Sequence, residues 1–300
     1  MRFRAILNRQ GGTLRTTDLN AFSARMRETL EAARHSMDIR IVDGKELVAA
    51  LREAAAADDV DAIIAGGGDG TASAAAGCLM NTDKILAILP AGTMNLFARS
   101  LAIPLDLDTA VQSFASGKVH LVDVATANGQ PFVHQFSVGM HAKMVKLREK
   151  MDFDSRIGKI RASARAALDT IMNPPSMVVD LDMGATSMTV HTSGIGVSNN
   201  LFGEGHLPYA DDPTGGILGI YVARALRRRD VIWLSLSILI GRWGSNPQVE
   251  IHQSDSVVMR FSHVHPRHRC VIDGELCKLE SSVTIQIHPK CLRVLVPATS

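Results

Sequence analysis

Three hundred residues, 46% of them apolar, are enough for one large domain or two of ordinary size with a sizeable core. Lys and Arg total 32 against 30 Asp and Glu, a net charge of +2, which excludes a globally polyanion-binding surface and argues against a nucleic-acid partner. The four cysteines, Cys78, Cys270, Cys277 and Cys291, show no Cys-x-x-Cys spacing, which argues against a disulfide scaffold and for free thiols in a reducing compartment.

Residues 3–7 open as a strand, and the stretch around them lacks the apolar core and cleavage site of a signal peptide. A polar turn follows, Asn8-Arg9-Gln10-Gly11-Gly12. Helical spacing covers 19–33, a strand 37–42, and a helix rich in Ala, Leu and Glu 44–57. Residues 60–65 are mostly apolar and branched, which reads as a buried strand. That strand runs into Gly66-Gly67-Gly68-Asp69-Gly70-Thr71, and an alanine-rich helix over 71–80 comes next. A second buried strand, 84–89, ends in Pro90-Ala91-Gly92-Thr93-Met94-Asn95. A short helix over 95–100, stopped by Pro104, and another over 106–116 complete this half. Strands alternating with helices at this spacing predict βαβ units and a mostly parallel sheet.

Lacking Cβ atoms, the glycines of the two loops let backbone N–H groups approach a ligand, and a helix N-terminus adds partial positive charge. Phosphate oxygens suit such a place. Asp69 suits it only with a metal or a hydroxyl proton between carboxylate and phosphate. Loops at the ends of successive parallel strands lie side by side on the edge where open α/β sheets bind ligands.

After Gly117 the pattern changes. Residues 119–126 and 131–138 flank Asn128-Gly129, a hairpin with a favoured two-residue turn, and the domain boundary is placed here, between 122 and 123. Residues 142–150 and 157–172 have helical spacing, the second amphipathic with Lys159, Arg161 and Arg165. From 177 onward short strands are expected at 177–181, 188–191, 194–198, 219–222, 249–252, 256–261 and 283–287, with a last one at 292–296. Many short strands with turns between them predict a β-sandwich. A helix over 224–243 carries Arg227-Arg228-Arg229 at its front, before an apolar run about half as long as a membrane-spanning helix needs. Such a helix either docks on anionic lipid or packs on the sandwich with a solvated basic end. Cys270-Val271-Ile272-Asp273-Gly274-Glu275 brings two carboxylates to a turn, with their side chains expected free. His263, His265 and His268 cluster around Pro266, which reads as an exposed turn rather than a zinc site.

Gly67-Gly68-Asp69-Gly70-Thr71, with Pro90-Ala91-Gly92-Thr93-Met94-Asn95 and the Leu96-Phe97-Ala98-Arg99 after it, resembles the diacylglycerol kinase catalytic family. That family comprises bacterial lipid kinases and their sphingosine and ceramide kinase relatives. The first motif is shared with NAD kinases and phosphofructokinases; the second is more specific. The resemblance implies two domains: an α/β nucleotide-binding domain over 1–122, to which 290–300 returns, and a β-rich lipid-substrate domain over 123–289. It implies ATP and Mg²⁺, with Asn8, Gly11, Gly12, Gly67, Gly68, Asp69, Gly70, Thr71, Gly92, Thr93 and Asn95 about the nucleotide and Asp69 on the metal. It implies Glu275 as general base, supported by Asp123. The chain departs from the family at Arg9, where proline is usual, and at Val42-Asp43, where a threonine is common. It departs again at Gly215, where an aspartate is expected in a loop that binds a structural Mg²⁺ in some bacterial members; no such metal is expected here. The implied activity is transfer of the γ-phosphoryl group of ATP to a lipid alcohol such as diacylglycerol. The protein is expected to be cytoplasmic, with at most a transient contact to a membrane surface; a homodimer is compatible with this reading. The alternatives are an NAD kinase and a nucleotide-binding regulator without turnover.

Overall fold

The computed structural model describes residues 1–149 and 172–298, together with Arg165 and Leu168. The helix expected over 157–172 lies almost wholly outside the described residues.

β1 (Arg2–Asn8), β2 (Ser36–Val42), β3 (Ala62–Gly67) and β4 (Ile85–Pro90) pair in parallel in the order β2-β1-β3-β4. β3 is buried at every residue, as a strand covered on both faces must be. The helices are α1 (Leu19–Ala32), α2 (Leu47–Ala56), α3 (Asp69–Leu79), α4 (Leu96–Ser100) and α5 (Leu107–Ala115). Asp18 caps α1, its carboxylate accepting from the Asn20 and Ala21 N–H groups. The strand order reverses after β2, so right-handed crossovers put α1 on one face and α2 and α3 on the other. α1 accordingly packs with α5, and α2 with α3. The reversal makes the carboxyl ends of β1 and β3 the switch point where such sheets open a ligand crevice.

β5 (Lys118–Ala127) and β6 (Gln130–Phe132) form the hairpin expected at Asn128-Gly129. The single strand expected over 131–138 is two, β6 and β7 (Gln135–Gly139), in different sheets. Between them Val133 and His134 give their N–H groups to the Asp273 carboxylate instead of a strand ladder, which lets the chain cross. α6 (Met140–Glu149) follows. Then come β8 (Met177–Asp182), β9 (Ser187–Thr192), β10 (Gly194–Asn199), β11 (Leu218–Ala223), α7 (Arg228–Leu239), β12 (Val249–Ser254), β13 (Ser256–Phe261), β14 (Arg269–Ile272) and β15 (Glu275–Lys278). The strands expected at 283–287 and 292–296 are one, β16 (Ser282–Val296), irregular between His288 and Leu292, where Lys290 takes a φ of 53°.

β16 joins the two halves. Through Arg293 and Val294 it lies parallel to β4; its first half pairs antiparallel with β13, beyond which stand β8 and β9. One sheet of ten strands therefore runs from the α/β half into the sandwich, with β5 and β6 branching from β16. The facing sheet is antiparallel, β12-β11-β10-β7-β14-β15. Phe132, Phe136, Ile220, Val257 and Ile285 fill the space between the sheets, a core separate from that of the α/β half. The architecture is the expected α/β unit with a mostly parallel sheet plus a β-sandwich.

Candidate active site

Three loops meet at the carboxyl ends of β1, β3 and β4. Gly66 and Gly67 stay in the β3 ladder opposite Leu89 and Pro90, so only Gly68 turns, as the N-cap of α3. The loops touch backbone to backbone. The Thr13 N–H donates to the Ala91 carbonyl at 2.7 Å, and the Ala91 N–H to the Gly67 carbonyl at 2.8 Å. A Cβ on Gly92 would stand 2.7 Å from the Gly68 Cα, and one on Gly12, whose φ is +24°, would run into the Ala91 carbonyl oxygen. Glycine is needed at both for steric reasons.

The second loop is held by its own side chains. The Gly92 N–H donates to Asn95 Oδ1 at 2.8 Å, and Asn95 Nδ2 donates to the Gly92 carbonyl at 3.0 Å. Asn95 sits in the left-handed region (φ 50°), which asparagine tolerates better than most residues. Asp69 bridges the loops: Oδ2 accepts from the Asn95 N–H at 3.0 Å and Oδ1 from the Leu96 N–H at 2.6 Å. Its carboxylate therefore caps α4 while remaining half-buried, and each oxygen keeps lone-pair capacity for another partner. Thr71 is buried under Gly67, and Thr93 is exposed.

The sandwich contributes the β14–β15 hairpin. Asp273 and Gly274, with φ of 45° and 88°, make the tight turn, and Glu275 is the first residue after it. Glu275 reaches across to α3: a Cβ on Gly70 would lie 2.8 Å from Glu275 Oε1. Asp273, expected free, is buried. Its Oδ2 accepts from the Val133 N–H (2.8 Å) and its Oδ1 from the His134 (3.0 Å) and Gln135 (2.8 Å) N–H groups. Burial pushes its carboxyl up to about 6, against the downward pull of hydrogen bonds from Val133, Gln135, Ser73 and His134. Asp273 is thus the pin that fixes the hairpin, and through Ser73 it ties the hairpin to α3.

Asp123 is placed elsewhere. It is fully buried in β5, with Oδ2 accepting from the Gly216 N–H at 2.7 Å and Oδ1 from the Lys290 N–H at 2.8 Å. Those bonds hold the loop before β11 and the irregular part of β16, and Asp123 does not line the hollow that Glu275 faces. In the same loop Asp212 Oδ1 accepts from the Thr214 N–H and hydroxyl, and Asp211 pairs with His206 at 2.9 Å.

Between the halves lies a hollow of about 860 Å³. Asn8, Gly11, Gly12, Gly68, Gly70 and Thr71 line one side and Glu275 the other. Gly67, Asp69, Gly92 and Asn95 shape the loops from behind. Sequence reasoning missed Gly44, Val48 and Arg52, which also line it. The signal was available: in a parallel sheet the β2–α2 connection must open on the same edge as the other βα loops.

Two family models match the chain. The diacylglycerol kinase catalytic domain matches residues 2–127, and the YegS C-terminal NAD kinase beta sandwich-like domain, over more than half of the chain, residues 135–296.

The chain belongs to the diacylglycerol kinase and YegS-like family.

An uncharacterised protein of Synechocystis sp. is 27% identical over 303 residues, covering 96% of this chain and 68% of its own length. A Yersinia pestis protein named "Probable lipid kinase YegS-like" is 41% identical over 91 residues, 29% of this chain; the match spans 31% of the relative's length. Two crystal structures from Bacillus anthracis str. Sterne share the fold. One has a TM-score of 0.76 at 22% identity, over 98% of this chain and 95% of its own. The other, described as a diacylglycerol kinase, has a TM-score of 0.73 at 19% identity, over 98% and 96%. At the family departure Arg9, the side chain pairs with Asp43 at 3.2 Å, and the loop is tightened by the Gly11 N–H donating to the Asn8 carbonyl at 2.9 Å.

Proposed function

We propose that the protein is an ATP-dependent lipid kinase that phosphorylates the hydroxyl of a lipid alcohol such as diacylglycerol, with Glu275 as general base. The observation that carries the reading is the Glu275 carboxylate, delivered by the sandwich to the first turn of α3 across the hollow from the glycine loops. Phosphoryl transfer calls for a phosphate cradle, charge neutralisation and a group that takes the acceptor proton. The close-packed glycines put backbone N–H groups at the α3 N-terminus, where phosphate oxygens are favoured, and a side chain at Gly12 or Gly92 would force the loops apart. Asp69 would hold Mg²⁺ with its remaining lone pairs, and the ion would supply neutralisation of phosphate charge. Glu275 accepts the hydroxyl proton as the oxygen attacks the γ-phosphorus; the bond from that phosphorus to the β–γ bridging oxygen breaks, and the oxygen leaves with the electron pair as part of ADP.

A second hollow, of about 530 Å³, favours an apolar acceptor. Ala142, Met177, Val178, Phe261 and Leu279 line it together with the cationic Lys143, Lys146, Arg267 and Arg269. Arg269 begins the same four-residue strand whose far end turns into Glu275, so acyl chains there would leave a head group about 10–13 Å away, near the carboxylate.

The test is transfer of label from ATP to diacylglycerol, sphingoid bases and ceramide in mixed micelles, with NAD as the competing acceptor. Label on a lipid alcohol, lost in Glu275→Gln while ATP still binds, is the expected result. Label on NAD alone refutes the reading. ATP binding with no turnover on any acceptor would make the protein a regulator.

A further inference from the structure

α7 exposes its apolar side to water. Val231, Leu234 and Ser237 face inward, Val231 and Leu234 packing with Ala225 against Met140, Ala223 and Val249. Ile232 (46% exposed), Trp233 (58%), Leu236 (49%) and Ile240 (65%) do not. At about 100° per residue these four fall within roughly 100° of arc, and Arg229 lies in the same arc one turn earlier. Arg227, Arg228 and Arg229 are all exposed at this end, with Asp230 the one carboxylate beside them. Arg228 Nε donates to the Met172 carbonyl at 2.8 Å, so it also ties the helix start to the chain before β8.

Single exposed apolar residues need no explanation, but a contiguous stripe marks an interaction surface. A stripe of Trp, Ile and Leu with arginines at one end is the make-up of a helix that lies in a membrane interface. At twelve residues α7 is about 18 Å long, well short of a bilayer core, and no helix among the described residues is long and apolar enough to cross a membrane. The position also fits. Met140, against which α7 packs, begins α6, and α6 supplies Ala142, Lys143 and Lys146 to the apolar hollow.

We infer that α7 is the docking face for an anionic lipid bilayer, with Ile232, Trp233, Leu236 and Ile240 entering the interface and the arginines on its head groups. The need for such a face rests on the lipid-kinase reading; the binding test does not. Arginines at the stripe's end favour anionic lipid over a second copy of the chain, which would bring more arginines to the same face.

Trp233 is exposed and the only other tryptophan, Trp243, is 5% exposed, so vesicles that cover α7 should shift Trp233 emission alone. The probe is phosphatidylcholine vesicles with and without about a third phosphatidylglycerol. Expected is a blue shift, stronger with the anionic vesicles and retained in Trp243→Phe. Ile232→Ser with Leu236→Ser should weaken co-sedimentation about tenfold or more, and Arg227→Glu with Arg229→Glu should remove the preference for anionic lipid. Both variants change exposed side chains, and a melt by circular dichroism checks their fold. Neither should alter turnover on a short-chain lipid alcohol dispersed in detergent. Absence of that turnover in the wild type would end the kinase reading and leave the docking result standing. No emission change with either vesicle overturns the inference, as does a change driven by protein concentration without lipid, which would assign the stripe to a second copy.

Discussion

Asp273→Asn removes one charge from the pin that holds the base-bearing hairpin. In the wild type Oδ1 takes two N–H groups and Oδ2 a third, the Val133 N–H at 2.8 Å. An asparagine can keep the Oδ1 pair but then sets its NH₂ against the Val133 N–H, donor against donor. Leaving one buried N–H unpaired costs about 1–3 kcal/mol. The pH dependence has its own sign. Burial raises the folded carboxyl to about 6 from an ordinary 3.8, so between those values the folded chain holds a proton that the unfolded chain has released. Stability from this group is therefore fully present below about pH 4, falls as pH rises toward 6 and is flat above. Linkage at about 1.36 kcal/mol per pH unit makes its contribution about 2 kcal/mol larger at pH 4.5 than at pH 7.5. Asparagine does not titrate, so the wild-type-minus-variant difference should show that slope. Urea unfolding of both proteins from pH 4.5 to 7.5 measures it. A difference that is constant with pH, or one that grows as pH rises, would refute the account of Asp273 as a carboxyl held up by burial.

Gly92→Ala must push its loop off Gly68, since the new Cβ would stand 2.7 Å from the Gly68 Cα. An overpacking cost of about 1–3 kcal/mol should appear as ATP affinity weakened by about tenfold, read by calorimetry. Asp123→Ala leaves the Gly216 and Lys290 N–H groups without their acceptor. Both bonds are part-buried, so at about 0.5–1.5 kcal/mol for each the melting temperature should fall by a few degrees while kcat of the folded fraction is kept; a kcat collapse at unchanged stability would return Asp123 to the chemistry. Arg52→Ala removes an exposed cation from the rim of the hollow. KM for ATP should rise about two- to fivefold with kcat little changed, as suits a solvent-screened charge.

Much of the site was legible before any coordinates. A strand whose last residues are glycines, followed by an alanine-rich helix, has one compact way to fold, and Asp-Gly between two short strands has one favoured turn. Local rules of that kind placed the glycine loops and the Glu275 hairpin, and motif resemblance gave them roles. What failed failed for non-local reasons. Residues 131–138 read as one strand because nothing near them says that a carboxylate 140 residues away takes the N–H groups at the crossing. Asp273 and Glu275 look alike in sequence, two acids at one turn. Only packing makes the first a buried pin and leaves the second facing the glycines. Resemblance implies Asp123 as the support of Glu275; that its oxygens accept the Gly216 and Lys290 N–H groups is decided only by the fold.

The apolar period of α7 is equally present in the sequence, but which of its sides meets the sandwich is not. Hydrophobic patterning tells how a segment would bury itself if it could. The strands and helices followed from the chain's own alternation, because backbone hydrogen bonds and side-chain periodicity act over a few residues. The partners of each carboxylate, and the side of α7 left in water, were decided by tertiary structure, because burial and hydrogen-bond satisfaction depend on segments that only folding brings together.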